Sequence, residues 1–126
     1  MDPEAQTFRD YHQRREALAL AEREALRAEV LAQVRQAVHQ LAPRHPAIRS
    51  VHLFGSLLQP GRFGPRSDVD LALDCDDPAA ETPFWRDLEH ALGRDVDLRP
   101  RSGAVERAVA AYGVPCYARE ADSPRE

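Results

Sequence analysis

Two aspartates one residue apart, Asp68 and Asp70, are the residues whose types and spacing point most directly to chemistry. Side chains at positions i and i+2 of a strand point to the same face, so we predict that these two carboxylates lie side by side. Carboxylates this close repel each other unless a cation lies between them, and Mg²⁺ or Mn²⁺ prefers oxygen ligands shared with substrate phosphates. Upstream, Gly55 and Ser56 offer backbone N–H groups and a hydroxyl that suit a phosphate. The pattern predicts metal-dependent phosphate chemistry.

The composition excludes several other kinds of chemistry. All seventeen basic residues are arginine, so neither a P-loop nor a Schiff-base lysine is present. A net charge of −4 argues against general nucleic-acid binding, and no direct nucleic-acid partner is expected. No apolar run approaches the roughly 18 residues of a membrane span, and two cysteines, Cys75 and Cys116, favour reduced thiols over a disulfide framework. We therefore expect a cytoplasmic protein with no membrane partner.

The elements that must position these residues begin with a long helix. From Pro3 to about Leu41 the chain has no glycine and no further proline, and strong helix formers dominate. In the second half, apolar side chains recur every three or four positions, as on a helix with one buried face, at Leu26, Val30, Val34, Val38 and Leu41. In the first half, charged residues dominate. We predict one helix of roughly 35 residues and about 50 Å, whose C-terminal half packs on the domain and whose N-terminal half projects or binds a partner.

Shorter strands and helices alternate after the long helix. Strands are predicted at Ile48–Phe54, Asp68–Asp74, Asp95–Leu98 and Val114–Ala118. Helices are predicted at Pro83–Leu92, with Thr82 as its cap, and through Ala111 after a cap at Ser102. The predicted fold class is α/β (α+β), with a small mixed β-sheet flanked by helices. We predict an N-terminal helical extension at residues 1–25, a single domain at 26–118 and a polar tail at 119–126.

The order of these elements resembles the nucleotidyltransferase superfamily related to DNA polymerase β. More closely, the chain is similar to the minimal nucleotidyltransferases (MNT proteins), small single domains paired with HEPN-domain toxins. The resemblance covers about residues 26–118 and rests on segments 53–56, 67–71, 93–98 and 112–117. A lone Asp-x-Asp is a weak signal, but its combination with the upstream Gly-Ser and a preceding serine is specific.

The resemblance implies the nucleotidyltransferase fold and a role for each of six residues. Three residues would bind the nucleotide, and three carboxylates would be catalytic and would ligate Mg²⁺ (or Mn²⁺). Two such ions would bridge the phosphates of ATP, and the third carboxylate would activate the acceptor hydroxyl. The nucleotide-binding residues are Gly55, Ser56 and Ser67, and the catalytic and metal-binding residues are Asp68, Asp70 and Asp97. Asp95 is a rival to Asp97 for the third position, because both aspartates lie on one face of the predicted strand.

The implied function is Mg²⁺-dependent transfer of AMP from ATP to a hydroxyl, expected to be that of a tyrosine, on a cognate HEPN RNase toxin. The chain would then be the antitoxin of a type VII-like toxin–antitoxin pair.

Two alternative functions stay open. The segment Leu57–Ser67, between Ser56 and Asp68, has eleven residues, one more than is usual in the family. Together with the projecting helix, it favours a catalytically weak antitoxin that masks its toxin. The other alternative is a nucleotidyltransferase that acts on a small molecule.

Overall fold

The computed structural model describes residues 2–120 as four strands with three helices. Short 3-10 turns at Ala42–Arg44, Gly55–Leu58 and Pro78–Ala80 connect several of these elements. In chain order the helices and strands are α1 (Pro3–Leu41), β1 (Ile48–Phe54), β2 (Val69–Cys75), α2 (Glu81–Leu92), β3 (Val96–Pro100), α3 (Gly103–Tyr112) and β4 (Val114–Ala118).

The strands form one mixed sheet in the order β3-β2-β1-β4. Strand β1 pairs antiparallel with both β2 and β4, whereas β2 and β3 run parallel and are connected through α2. A parallel pair needs such a crossover, because a tight hairpin can join only antiparallel strands. The parallel register places Val69 opposite Val96 and Asp70 opposite Asp97. The crossover therefore brings residues 27 positions apart in sequence to adjacent points of one sheet edge.

Helix α1 has 39 residues, which corresponds to about 58 Å. Its buried side chains are Val30, Val34, Ala37 and Val38, all in the C-terminal half, where α1 packs against α2 and β4. Asp2 caps its N-terminus, accepting a hydrogen bond from the Glu4 backbone N–H at 3.1 Å. The predicted helix is confirmed, and so is the predicted difference in burial between its two halves.

The core lies between the sheet and the α1–α2 layer. Alternate side chains of β1 and β2 point into it, including the fully buried Val51, Leu53, Val69 and Leu71. The opposite face of the same strands carries the polar side chains, as strand alternation requires. This division places Asp70 and Asp97 on the face away from the main core, the face that α3 contacts through β1 and β2.

The predicted mixed sheet with flanking helices is confirmed, with the ends of several elements displaced; strand β3 begins at Val96, so Asp95 lies just before it. Helix α2 begins at Glu81, so Thr82 lies within it and does not cap it. The preceding 3-10 turn is capped instead by Asp77, whose carboxylate accepts the Ala79 N–H at 3.0 Å, and it leads directly into the helix. The domain boundary predicted between residues 25 and 26 falls inside α1 and stays a prediction, and residues 121–126 of the predicted tail lie outside the described residues. No helix within residues 2–120 has the length and apolar character needed to cross a membrane.

Candidate active site

The Gly55-Ser56 turn packs directly against the carboxylate of Asp70. Strand β1 ends at Phe54, which pairs with Asp70, and Gly55 then turns the chain with φ +80°. A Cβ at Gly55 would lie 2.0 Å from Asp70 Oδ2. Only glycine combines this left-handed conformation with such close approach of its backbone. The Ser56 backbone N–H also acts on the Asp70 carboxylate and lowers its pKa, so the turn and the Asp-x-Asp segment are close neighbours.

Four aspartates from two adjacent chain segments lie at this edge of the sheet. Asp70 and Asp97 face each other across the parallel pair. Because Val69 pairs with Val96, the preceding residues Asp68 and Asp95 are also neighbours, and both line a cavity of about 250 Å³. Asp68 and Asp95 are exposed, whereas Asp70 and Asp97 are half-buried. One carboxylate pair, Asp70 and Asp97, thus lies across the two strands inside the site, and a second pair, Asp68 and Asp95, lies just before the strands at its mouth.

The electrostatic environment identifies Asp70 as the centre of the group. Its pKa is raised to about 6, first by burial and then by the negative charges of Asp97 and Asp68. Arg99 and the Ser56 N–H act in the opposite direction. Asp95 does not contribute to this shift, so Asp97 is the third carboxylate that Asp70 senses. This coupling favours Asp97 over Asp95 for the third position, while the assignment itself stays a prediction.

Arg99 neutralises the third carboxylate in this structure. Its Nε lies 3.0 Å and 3.1 Å from the two carboxylate oxygens of Asp97. Within residues 2–120, no group of three or more histidine, cysteine, aspartate or glutamate side chains is already arranged to hold a metal ion. The donors themselves suit Mg²⁺, since they are carboxylate oxygens whose mutual repulsion raises the pKa of Asp70. The residues therefore fit the ion chemically, provided that Asp97 exchanges Arg99 for it.

The loop before β2 places Ser67 at the edge of the site and uses its hydroxyl internally. Ser67 Oγ accepts the Gly64 N–H at 2.9 Å, and the Ser67 N–H donates to the Gly64 carbonyl at 3.1 Å. Arg94 Nη1 donates to the Ser67 carbonyl at 3.0 Å, and its guanidinium carbon lies 5.0 Å from the ring centroid of the buried Phe63. The Ser67 hydroxyl keeps its own proton for a further hydrogen bond, and its predicted nucleotide contact stays a prediction.

A second polar cluster continues the same sheet face toward α3. Arg101 pairs with Glu106 at 2.5 Å and lies 3.6 Å from Asp74 Oδ2, which also accepts the Ser50 hydroxyl at 2.9 Å. The His52 ring lies against the Arg101 guanidinium, with the shorter nitrogen–nitrogen distance 3.4 Å. Burial, and then the charge of Arg101, lower the pKa of His52, so its ring is neutral at physiological pH. Beyond the candidate site, this face of the sheet thus carries a charged network that includes Glu106 of α3.

Sequence reasoning considered Arg99 and Arg101 as cations able to neutralise phosphate charge but favoured solvated positions, and it did not predict their ion pairs or the contacts of Arg94. Arg99 was recognisable only as a cation two positions after Asp97, and such arginines are usually solvated. Arg94 gave no signal, because its partners Pro65 and Ser67 are 29 and 27 residues away in sequence. Arg101 lies before the start of α3 and Glu106 lies within it. Because the two residues are not on one regular element, their spacing in sequence does not predict that their side chains meet.

Comparisons with known proteins agree with this geometry. No protein-family model and no curated protein matches the chain. Among solved structures, the chain is similar to a chain of a toxin–antitoxin complex with AMP-PNP, at 28% identity and a TM-score of 0.55, over 70% of this chain and 76% of that chain. A mutant of the MntA-HpeT toxin–antitoxin complex matches at 26% identity with the same TM-score and coverage. A tri-AMPylated Shewanella oneidensis HEPN toxin in complex with MNT antitoxin matches more weakly, at 24% identity and a TM-score of 0.48, over 74% of this chain and 76% of that chain.

The nucleotidyltransferase-type fold that the resemblance implied is confirmed by this similarity to solved structures. Within it, the glycine-serine turn packs on the Asp-x-Asp strand, and a further aspartate lies on the parallel neighbour. The resemblance predicted from the motifs is confirmed: in fold and sequence the chain is similar to the MNT proteins of toxin–antitoxin complexes.

Proposed function

We propose that the chain is a nucleotidyltransferase that moves AMP from ATP to a protein hydroxyl. The observation that carries the proposal is the contact between Gly55 and Asp70, with Asp97 opposite Asp70 on the parallel strand. This geometry brings the Gly55-Ser56 turn, which suits a phosphate, into direct contact with the carboxylate cluster, which suits a metal ion. The similarity to a complex that contains AMP-PNP, an ATP analogue, supports a nucleotide as the ligand.

The proposed partner is a cognate HEPN-type toxin, and the proposed role of the chain is that of its antitoxin. The solved structures that support this proposal are toxin–antitoxin complexes. The acceptor is a tyrosine of that toxin, as the resemblance to MNT proteins implies. The proposal places the reaction in the cytoplasm, where ATP and Mg²⁺ are supplied.

The proposed reaction is an in-line displacement at phosphorus. The acceptor oxygen attacks the α-phosphorus of ATP, a new O–P bond forms, the bond to the oxygen bridging to the β-phosphate breaks, and pyrophosphate leaves. Gly55 and Ser56 contribute backbone N–H groups and the serine hydroxyl to the phosphates. Asp97 accepts the proton of the acceptor hydroxyl, and Arg99, on leaving Asp97, neutralises phosphate charge.

Asp68, Asp70 and Asp97 are the residues that would hold Mg²⁺. When bound, the ion would offset the charge of the phosphates and of the three carboxylates. Burial and then the charges of Asp97 and Asp68 raise the pKa of Asp70, a cost that a bound cation would offset, and Asp68 lines the open cavity from which a nucleotide enters.

The proposal is tested by incubating the protein with ATP labelled at the α-phosphate, Mg²⁺ and the toxin encoded beside it. The wild type should label the toxin, and Asp70→Asn and Asp97→Asn should not. Asp10→Asn, an exposed carboxylate on α1, is the matched control and should label normally. Label that appears on a small molecule and never on a protein would support the small-molecule alternative. No label on any acceptor would refute nucleotidyl transfer.

Masking of the toxin is the second candidate function, and the exposed N-terminal half of α1 favours it. Phe8, Tyr11 and Leu18 have 63%, 52% and 60% of their surface exposed, which leaves large apolar side chains on this half of the helix available to a partner. A variant in which all three are serine should fail to neutralise the toxin under this hypothesis, while Asp68→Ala and Asp70→Ala should still neutralise it. The opposite pattern supports catalysis.

A further inference from the structure

Helix α1 holds the loop of the candidate site at two points. Arg27 Nη1 donates a hydrogen bond to the Leu57 carbonyl at 3.2 Å, and the Glu24 carboxylate accepts the backbone N–H of Gly61. Leu57 immediately follows Ser56, and Gly61 lies in the middle of the eleven-residue segment Leu57–Ser67. The helix thus contacts this segment at its first residue and near its midpoint.

The two side chains are themselves paired. Arg27 Nε and Nη2 each lie 2.9 Å from Glu24 Oε2, which leaves Oε1 for Gly61. The pKa of Glu24 is lowered, first by its hydrogen bond with Arg27 and then by the Gly61 N–H, so the carboxylate stays ionised. Both side chains are partly buried, with 33% of Glu24 and 22% of Arg27 exposed. We call this pair, together with its contacts to Leu57 and Gly61, the α1 clamp.

Apart from the α1 clamp, the first part of the segment is held by the fully buried side chain of Leu57, and the residues that follow it have mainly local hydrogen bonds. Gln59 N–H bonds to the Ser56 carbonyl at 3.0 Å, and Arg62 N–H bonds to the Gln59 carbonyl at 3.1 Å. These bonds shape turns but do not fix where the turns lie relative to the sheet. The later part is anchored independently, through buried Phe63 and through Arg94. Gly61, with φ +78°, marks the boundary between the two parts.

We propose that Glu24 and Arg27 are positioning residues of the nucleotide site: they hold Leu57 and Gly61 so that the longer segment leaves Ser56 in place against Asp70. The inference rests on the proposed function. It also explains how an extra residue is accommodated between the turn and the Asp-x-Asp strand, because an insertion costs little loop entropy when its ends are fixed. The helical extension is then part of the site as well as an arm.

The test compares Glu24→Ala with Glu22→Ala. Glu22 is exposed and lies two positions before Glu24 on α1, and its side chain makes no hydrogen bond or ion pair within residues 2–120. Glu24→Ala should weaken binding of Mg²⁺–ATP, measured by calorimetry, about fivefold and raise KM for ATP similarly, with kcat within about twofold. Hydrogen exchange at the Gly61 amide should accelerate in the same variant. Glu22→Ala should match the wild type in all three measurements. Glu24→Gln keeps an oxygen acceptor for Gly61 and should recover most of the affinity.

Two results would overturn the inference. Faster exchange at Gly61 with unchanged ATP affinity would show that the α1 clamp orders the loop without positioning the nucleotide. Equal loss in Glu24→Ala and Glu22→Ala would show a general effect of charge on α1. If the wild type itself binds no nucleotide, the proposed function fails first, and the positioning role falls with it.

Discussion

Substitution of Gly55 by alanine tests the contact on which the site is built. Two separate penalties are expected. An alanine held at φ +80° costs about 1 kcal/mol, because its Cβ approaches the backbone oxygen. The added Cβ would also lie 2.0 Å from Asp70 Oδ2 and 2.8 Å from its Cγ, so the carboxylate must leave its position, at a cost of about 1–3 kcal/mol for an overpacked site. Together they predict a loss of about 2–4 kcal/mol in the free energy of unfolding.

Gly103→Ala separates these two penalties. Gly103 also has a positive φ, of +54°, but a Cβ there would meet no atom within 4 Å. It should lose only about 1 kcal/mol in urea unfolding and keep full ATP affinity in calorimetry. Gly55→Ala should lose more stability than Gly103→Ala and bind ATP at least about tenfold more weakly, because a displaced turn cannot meet the phosphates. Equal stability of the two variants, or wild-type ATP affinity in Gly55→Ala, would refute the reasoning.

Three further substitutions address the charge and packing around the site. Asp70 has a pKa raised to about 6, so its ionised form disfavours folding at higher pH. Asp70→Asn should therefore raise the free energy of unfolding near pH 7.5 by about 1 kcal/mol, a value reduced for partial exposure. In urea titrations with EDTA, the stability gained by Asp70→Asn should shrink as the pH falls from 6 toward about 4, because the wild-type carboxyl becomes protonated over that range. A gain that is unchanged at about pH 4 would contradict the raised pKa of Asp70. Trp85→Phe removes the 2.8 Å hydrogen bond from the indole N–H to the Val96 carbonyl and should lower the free energy of unfolding, measured by heating, by about 1–2 kcal/mol. AMP transfer should also be slower, because Val96 is adjacent to Asp97. Full transfer activity would show that this hydrogen bond does not help to position Asp97. Leu88→Ala, fully buried in α2, should cost about 2–5 kcal/mol by urea unfolding, and a loss below 1 kcal/mol would contradict its place in the core.

Local patterns in the sequence were enough to predict most of the fold. The period of apolar residues from Leu26 to Leu41 identified the buried half of α1, and alternation identified β1 and β2. Both patterns depend only on which side chains share a face, and that is set by the geometry of each element. Helix α2 begins at Glu81, earlier than predicted, because Asp77 caps the 3-10 turn that leads into it. From sequence alone, a cap at Asp77 and a cap at Thr82 are similarly favourable.

The site was predicted less completely, because its contacts depend on strand register and on distant residues. The Asp-x-Asp spacing placed Asp68 and Asp70 near each other, but only the parallel register sets Asp97 opposite Asp70. Glu24 contacts Gly61 across 37 residues of sequence, and no pattern in either segment indicates the other. The pairing of Arg99 with Asp97 is local, yet sequence alone does not distinguish it from a solvated arginine. Register and tertiary contact, which no local propensity encodes, account for what was missed.

The most direct test of nucleotidyl transfer is the intact mass of the toxin after expression with this chain in one cell. With the wild-type chain, the account predicts toxin carrying one or more AMP groups on tyrosine, located by fragmentation of its peptides. With Asp70→Asn, which preserves the size of the side chain and the Ser56 contact, the toxin should keep its unmodified mass. An unmodified toxin that is nevertheless neutralised by both chains would contradict nucleotidyl transfer and leave masking as the function.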